Sequence, residues 1–365
     1  MAKAWCLLLT RGKAQPLRRV GGLPLVLRLA LDAQRAGATS IVLTAPSRDV
    51  EFALKDSRLK LSILAQPDKD QALVEVPDCA LIHEATWTRL ASEAIAGQPP
   101  VNLARIVAQP LAPWGFSPFT TVDESNARMA ERLLFRSLRK VQDGWTARWF
   151  NRYISLGLSR LLAKTRLRPN QISLSILAIG LAGAALATRG SYFSLFWGAT
   201  LFQLQSVLDG CDGEISRVTY QTSRRGEWLD TIGDDLTNYA FFVGASVGLY
   251  RADAQIWPLA AGAIVLGAGL IASGFEYAYL IRIGSGDLLK YPLSQATTGR
   301  TGPAKSLAPL FKRDTFVMVT WVAAALGQIG PILIVFAAAA LGVLASVIGT
   351  EVRLARERRS VTRPP

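Results

Sequence analysis

Histidine is almost absent from this 365-residue chain, with His83 the sole example, and cysteine and methionine number three each. A single histidine removes most imidazole-based catalysis and His-rich metal sites. Cys6, Cys79 and Cys211 form no CxxC pair, so neither a disulfide framework nor a structural zinc site is expected. Charge is also thin, at 19% of residues, and acids are the scarcer sign: 27 Asp and Glu stand against 41 Lys and Arg, a formal +14. That bias suits nucleic acid or an anionic membrane surface. Half of the residues are hydrophobic before 30 glycines are counted, against ~45 to 50% with glycine included for soluble domains. With a mean hydropathy of +0.25, the lipid bilayer is the expected partner and nucleic acid is not. The opening MAKAWCLLLTRGK has too short an apolar stretch and no small-residue cleavage site for a signal peptide, so the N-terminus is expected to stay in the cytoplasm.

Uncharged runs occupy residues 171–188, 190–208, 254–275 and 315–350. The first three are near the ~20 residues that cross hydrocarbon as helix. Residues 236–250 are shorter, but a helix beginning near Gly226 makes a span whose acids lie at the membrane face. Residues 315–350 would reach about 54 Å as one helix, and Gly327, Gly330 and Pro331 divide them in two. Six spans are therefore expected. Arg217, Arg224 and Arg225 follow span two, Arg282, Lys290, Arg300, Lys305, Lys312 and Arg313 follow span four, and five arginines close the tail. Both termini and the segment between spans two and three should face the cytoplasm, as in a multi-pass inner-membrane protein.

The first 120 residues read differently. WCLLLT, SIVLTA, LKLSILA and CALIH are short apolar runs, and residues 25–35 have helical spacing that ends at Gly37, an α/β pattern with a mostly parallel sheet. Residues 98–118 are Pro-rich and read as a linker or irregular insertion, and 123–140 as a polar helix. Over 143–164, Arg148, Arg152, Arg160 and Lys164 alternate with Trp149, Phe150, Tyr153, Ile154 and Leu161, an interfacial amphipathic helix. The expected organisation is an α/β domain over 1–120, a linker and interfacial helix over 121–170, an all-α six-helix transmembrane domain over 171–350, and a basic cytoplasmic tail over 351–365.

The chemistry sits between spans two and three, in LDGCDGEISRVTYQTSRRGEWLDTIGDD. Asp209 and Asp212 are three apart and Asp230 and Asp234 four apart, so each pair shares one face of its helix. Four carboxylates at one point repel unless a cation neutralises them. Oxygen-only ligands suit Mg²⁺ or Mn²⁺, and four acids can hold two such ions. Gly213 and Gly226 leave room for a ligand near the backbone, and Arg217 supplies a fork suited to a diphosphate.

The pattern D-x2-D-G-x2-S-R-x8-G-x3-D-x3-D resembles the signature of the CDP-alcohol phosphotransferase family, with Ser216 at a position usually Ala. RPNQIS, at 168–173, is similar to the family's entry to its first span. The resemblance implies transfer of a phospho-alcohol from a CDP-alcohol, either CDP-diacylglycerol or a CDP-polyol, to a polyol or phospho-polyol hydroxyl with release of CMP. It implies that Asp209, Asp212, Asp230 and Asp234 hold two Mg²⁺ or Mn²⁺ ions, that Asp234 is also the general base, and that Gly213, Arg217 and Gly226 contact the CDP moiety. It also implies a homodimer. Asp235 departs from branches that carry Arg there, leaving Arg224, Arg225 and Arg313 as anchors for an acceptor phosphate.

A cytoplasmic α/β domain ahead of the membrane domain resembles the bifunctional enzymes that join an inositol-phosphate cytidylyltransferase to a di-inositol-phosphate phosphate synthase, with residues 20–45 similar to the stretch after the nucleotide loop. A nucleotidyltransferase-like domain needs a Gly-rich phosphate loop and an acid at the end of the fourth strand. TRGKAQPL has Gly12 alone and then Pro16, which has no N–H, and only Glu84 could serve at the end of CALIHEA. Residues 1–120 are therefore expected to bind no CTP productively and to be dispensable for transfer. The alternatives are a bifunctional enzyme that also makes its CDP-alcohol from CTP, and a cation transporter. A transporter would place its acids within uncharged spans, whereas these flank a basic loop.

Overall fold

A computed structural model describes residues 5–12, 15–68, 71–96, 101–102, 119–139, 146–294 and 312–361. Two compact units emerge, one formed by Met1–Val141, Arg160–Arg166 and Arg217–Tyr220, the other by Gln142–Ser159, Leu167–Ser216 and Gln221–Pro365.

The N-terminal unit begins with β1 (Trp5–Thr10), the two-residue strands β2 (Arg19–Val20) and β3 (Leu23–Pro24), and α1 (Leu25–Arg35). The apolar spacing read from the sequence thus gives a helix over 25–35, started after Pro24 and stopped before Gly37. There follow β4 (Ala38–Leu43), α2 (Arg48–Leu54), β5 (Ser62–Leu64), β6 (Ala72–Pro77), β7 (Ala80–Ile82), α3 (Glu84–Ile95), β8 (Val101–Asn102), β9 (Phe119–Thr121) and α4 (Ala127–Arg136). Five strands form a parallel sheet in the order β5-β4-β1-β6-β8. Its central strand is buried on both faces, which is why WCLLLT reads as an unbroken apolar run. Trp5, Leu7 and Leu9 pack with Val26, Leu29 and Ala30 of α1, Val74 and Val76 of β6, and Trp87 and Leu90 of α3.

One expected strand is corrected. CALIH does not supply the fourth strand of the parallel sheet. Ala80–Ile82 pairs antiparallel with Phe119–Thr121 in a separate ribbon, and the place beside β1 is taken by Ala72–Pro77. ALVEVP buries Val74 and Val76 but carries Glu75 and Pro77, a mixed pattern that hides a half-covered strand. The polar helix expected over 123–140 is α4, which packs Ala130 against Val20, Leu25, Leu81 and Val122. Of the Pro-rich stretch 98–118, only Val101–Asn102 lies within the described residues.

The second unit starts with a π-helical turn, Ala147–Asn151, that runs into α5 (Arg152–Leu162). Trp149, Phe150, Tyr153, Ile154 and Leu161 are exposed while Asn151, Ser155 and Ser159 are buried. The polar face packs inward and the aromatic face is left outward, as an interfacial helix requires. Then come α6 (Pro169–Ala187), α7 (Tyr192–Val218), α8 (Arg224–Asp253), α9 (Trp257–Ile283), α10 (Arg313–Ala325) and α11 (Ile329–Val361). These six helices fall where the uncharged runs lie, and residues 315–350 are divided at Gly327. Among the described residues, three helices are long and apolar enough to cross a bilayer: Pro169–Ala187, Trp257–Ile283 and Ile329–Arg356. The other three fall short of that measure. In α7 and α8 the motif charges occupy one end of the helix, and α10 has 13 residues, roughly 20 Å of rise.

Helix α8 meets α6 through small residues. A Cβ on Gly244 would stand 2.4 Å from the Ala184 carbonyl oxygen, and one on Gly248 would stand 2.2 Å from that of Ala187. This four-residue spacing of glycines against alanines lets the two backbones touch, as in small-xxx-small membrane packing. Phe202 of α7 stacks on Phe241 of α8 with ring centroids 4.5 Å apart.

Candidate active site

Ser223 caps α8 by accepting from the Gly226 N–H at 3.0 Å, so the helix begins just ahead of the second half of the motif. Its first turns then present Asp230 and Asp234 one above the other, while the last turns of α7 present Asp209 and Asp212. All four carboxylates line one cleft, together with Ser173 and Ile176 of α6 and Gln205 of α7. Asp212 is the most enclosed of them, at 8% exposure, and accepts a hydrogen bond from the Ser173 hydroxyl.

The charge in this cleft is balanced from the far end of the chain. One Nη1 of Arg313, at the start of α10, lies 2.8 Å from an Asp234 oxygen and 3.6 Å from an Asp209 oxygen. The guanidinium is fixed on its other edges: Nη2 donates to Gln205 at 2.6 Å and Thr237 at 3.2 Å, and Nε to Asn238 at 3.1 Å. Arg313, offered from the sequence as a phosphate anchor, is in this geometry the ion-pair partner of Asp234 and Asp209.

A divalent cation suits the donor chemistry of this site: four carboxylates and a hydroxyl, all hard oxygen donors without imidazole or thiolate. No group of three acids stands ready at ligating distance among the described residues. The cation paired with Asp209 and Asp234 in this geometry is the Arg313 guanidinium.

The back of α7 is pinned. Glu214, fully buried, accepts from Arg152 at 2.6 Å and from Ser155 at 2.8 Å, which docks α5 behind the Asp209–Asp212 face. A Cβ on Gly210 would stand 2.9 Å from the Arg152 guanidinium. Asp235 is turned to α9, where it accepts from Ser273 at 2.5 Å and Tyr277 at 2.7 Å.

Gly213, Arg217 and Gly226 are not among the residues lining the cleft. Gly213 follows Asp212 directly and donates its N–H to that carboxylate at 2.5 Å. Gly226 adjoins Asn170, whose oxygen a Cβ there would meet at 3.4 Å. Arg217 belongs to the N-terminal compact unit with the three residues that follow it. Arg224 and Arg225 are exposed at the start of α8. Gln205 and Asn238 escape a motif-based reading because they lie in runs that read as apolar helix, and the pairing of Ser173 and Arg313 with the aspartates escapes it because they lie 30 or more residues away along the chain.

In the N-terminal unit, the acid at the carboxyl end of the strand beside β1 is Asp78, not Glu84. Asp78 accepts the Gly12 N–H at 2.8 Å, and burial raises its carboxyl above the ordinary range while that bond draws it down. Glu84 instead opens α3 behind the capping His83.

Residues 166–350 match the model of the CDP-alcohol phosphatidyltransferase family, about half of the chain. Similar curated proteins are named bifunctional IPC transferase and DIPP synthase. That of Aquifex aeolicus is 33% identical over 130 residues, 35% of this chain and 29% of that protein. That of Archaeoglobus fulgidus is 36% identical over 119 residues, 32% and 23%, and that of Thermococcus kodakarensis 32% over 160 residues, 43% and 35%. The chain thus matches about a third or less of the length of these relatives.

Proposed function

Because the family model covers half of the chain, this protein belongs to the CDP-alcohol phosphatidyltransferase family, and on that premise we propose that it is an integral-membrane enzyme that moves a phospho-alcohol from a CDP-alcohol to an acceptor hydroxyl and releases CMP. The observation that carries this reading is the meeting of Asp209, Asp212, Asp230 and Asp234, from two helices, in one cleft beside Arg313.

The acceptor oxygen bonds to the phosphorus that bears the alcohol, and the bond from that phosphorus to the CMP oxygen breaks. Asp234 takes the acceptor proton, the role its place in the motif gives it. Arg313, itself held by Asn238, keeps Asp234 in position until substrate arrives. Asp209, Asp212, Asp230 and Asp234 would together hold two Mg²⁺ or Mn²⁺ ions, which when bound would supply positive charge to offset the negative charge developing on the leaving CMP phosphate. Gly213, Gly226 and Arg217 receive the CDP moiety. With Asp235 tied to Ser273 and Tyr277, the acceptor's charge is met by Arg224, Arg225 or Arg313. All six helices from α6 to α11 cross the inner membrane, with both termini and the α7–α8 connection in the cytoplasm, as the arginine placement favours.

A second reading adds synthesis of the CDP-alcohol from CTP, favoured by Asp78 at the carboxyl end of β6, the end of the strands where α/β folds bind ligands, and by the bifunctional names of the relatives. It requires pyrophosphate release from CTP and a phospho-alcohol, which the single glycine of TRGKAQPL argues against.

The test is CMP release by the full-length protein in lipid with Mn²⁺, CDP-diacylglycerol or CDP-inositol, and a panel of polyols and polyol phosphates. No CMP from any pairing contradicts the reading. In the same assay Arg217→Lys should raise KM for the CDP substrate roughly tenfold with kcat little changed, because an ammonium cannot make the bidentate contact of a guanidinium. An unchanged KM would place Arg217 away from the diphosphate.

A further inference from the structure

The last turn of α7 is built unusually. Its terminal carbonyls are closed by a Schellman pair, Gln221 N–H to Ser216 at 2.8 Å and Tyr220 N–H to Arg217 at 3.4 Å. The residue in the left-handed conformation is Tyr220, at φ +56°. Glycine is the default there because it has no Cβ to strain the backbone. A tyrosine in that conformation persists where its surroundings over-determine it.

Those surroundings are in the N-terminal compact unit, to which Arg217–Tyr220 belongs. The Tyr220 hydroxyl donates to Asp32 of α1 at 2.5 Å. Its ring lies under two guanidinium groups of the same helix, Arg35 at 4.3 Å and Arg28 at 5.4 Å from the centroid. The preceding backbone is caught as well. Arg28 donates to the Val218 carbonyl at 3.0 Å while bound to Val20 at 2.9 Å, and Arg58 donates to the Thr219 carbonyl at 2.5 Å. Arg58 is itself squared up by Asp56 through contacts of 2.7 and 2.6 Å. Val218 fills the space beside Gly21, where a Cβ would come within 2.6 Å of it. Burial pushes the Asp32 carboxyl up to about 6, with Arg28 and the Tyr220 hydroxyl drawing it down.

We propose that the N-terminal α/β domain is a clamp on the connection between the two halves of the aspartate motif, and that Tyr220 is a positioning residue whose capture fixes Arg217 for the CDP diphosphate. Three consecutive residues, Val218, Thr219 and Tyr220, are each held by a different side chain of this domain, and Arg217 immediately precedes them. The assignment of Arg217 to the diphosphate rests on the function proposed above, whereas the clamp rests on geometry alone. It reverses the expectation that residues 1–120 are dispensable for transfer: a domain with a poor phosphate loop still has a task.

Tyr220→Gly in the full-length protein separates the clamp from the helix cap, since glycine suits the backbone at that position and removes only the captured side chain. Tyr220→Phe keeps the ring between the arginines and loses the bond to Asp32, and Arg58→Met releases Thr219 from a partly exposed residue. Amide hydrogen exchange at residues 218–221 should quicken at least tenfold in Tyr220→Gly and by less in Tyr220→Phe and Arg58→Met. In CMP release, Tyr220→Gly should raise KM for the CDP substrate at least tenfold with kcat within about twofold, as loss of uniform binding does. Unchanged exchange in Tyr220→Gly would overturn the clamp. Quickened exchange with an unchanged KM would overturn the positioning role. If the wild-type protein neither releases CMP nor binds CDP in the presence of Mn²⁺, the proposed function fails, and the exchange result still decides the clamp.

Discussion

Asp234→Asn will lower CMP release by roughly 10²- to 10⁴-fold, the usual cost of removing a general base, without unfolding the protein. Asparagine has the shape of aspartate and can still accept from Arg313, which approaches Asp234 at 2.8 Å and is separately held by Gln205, Asn238 and Thr237. The helix and the cleft should therefore survive. The amide cannot take the acceptor proton and brings no charge to a metal. The larger part of the loss should fall on kcat, because Asp209, Asp212 and Asp230 are left to hold metal and Gly213, Arg217 and Gly226 to hold the CDP moiety. Turnover above about a tenth of wild type would remove Asp234 from the role of base.

Gly248→Leu should be the most damaging substitution outside the cleft. The first atom added at Gly248 would stand 2.2 Å from the Ala187 carbonyl oxygen and 3.0 Å from the Gly190 nitrogen. Both are backbone atoms, and Gly190 is itself in the left-handed conformation at φ +77°, so no rotamer change relieves the clash and α6 must move away from α8. Overpacking of close-packed interiors costs typically 1 to 3 kcal/mol and occasionally more, and here the contact is backbone to backbone. At about 3 kcal/mol the melting temperature should fall by roughly 10 °C. Activity should fall with it, because α6 carries Ser173 and α8 carries Asp230 and Asp234. A Gly248→Leu protein with wild-type melting temperature would show that these helices do not depend on that contact. Gly248→Ala is expected to be milder, and the gap between the two measures how far the helices can part.

Much of the site was legible because its chemistry is local in sequence. Asp209 with Asp212, and Asp230 with Asp234, are spaced so that any helix brings each pair to one face, and the structure puts both faces on one cleft. The helix over 25–35 was equally legible from its apolar spacing between Pro24 and Gly37. What escaped is non-local or conformational. Arg313 reaches Asp234 across 79 positions, and while the sequence offered it as a phosphate anchor, nothing there points to its pairing with the aspartates. Ala72–Pro77 escaped as a strand because one face carries Glu75 and Pro77, while the more apolar CALIH drew the assignment and proved to be a ribbon strand. Tyr220 could not have been singled out at all. Its importance lies in a left-handed backbone and in partners about 160 to 190 residues away, where sequence-based reading expects glycine. The glycines of α8 were visible as residues, but their spacing has meaning only against Ala184 and Ala187 of a particular neighbour.

The central claim is that the four aspartates hold the metal to which the CDP diphosphate binds. Electron–nuclear double resonance on Mn²⁺ bound to the full-length protein in lipid tests it most directly. Addition of CDP should produce a ³¹P coupling to the Mn²⁺ signal, and Asp212→Asn or Asp230→Asn should abolish or sharply weaken that coupling. Bound Mn²⁺ without any ³¹P coupling in the presence of saturating CDP, or a coupling indifferent to both substitutions, would contradict the assignment of metal and substrate to this cleft.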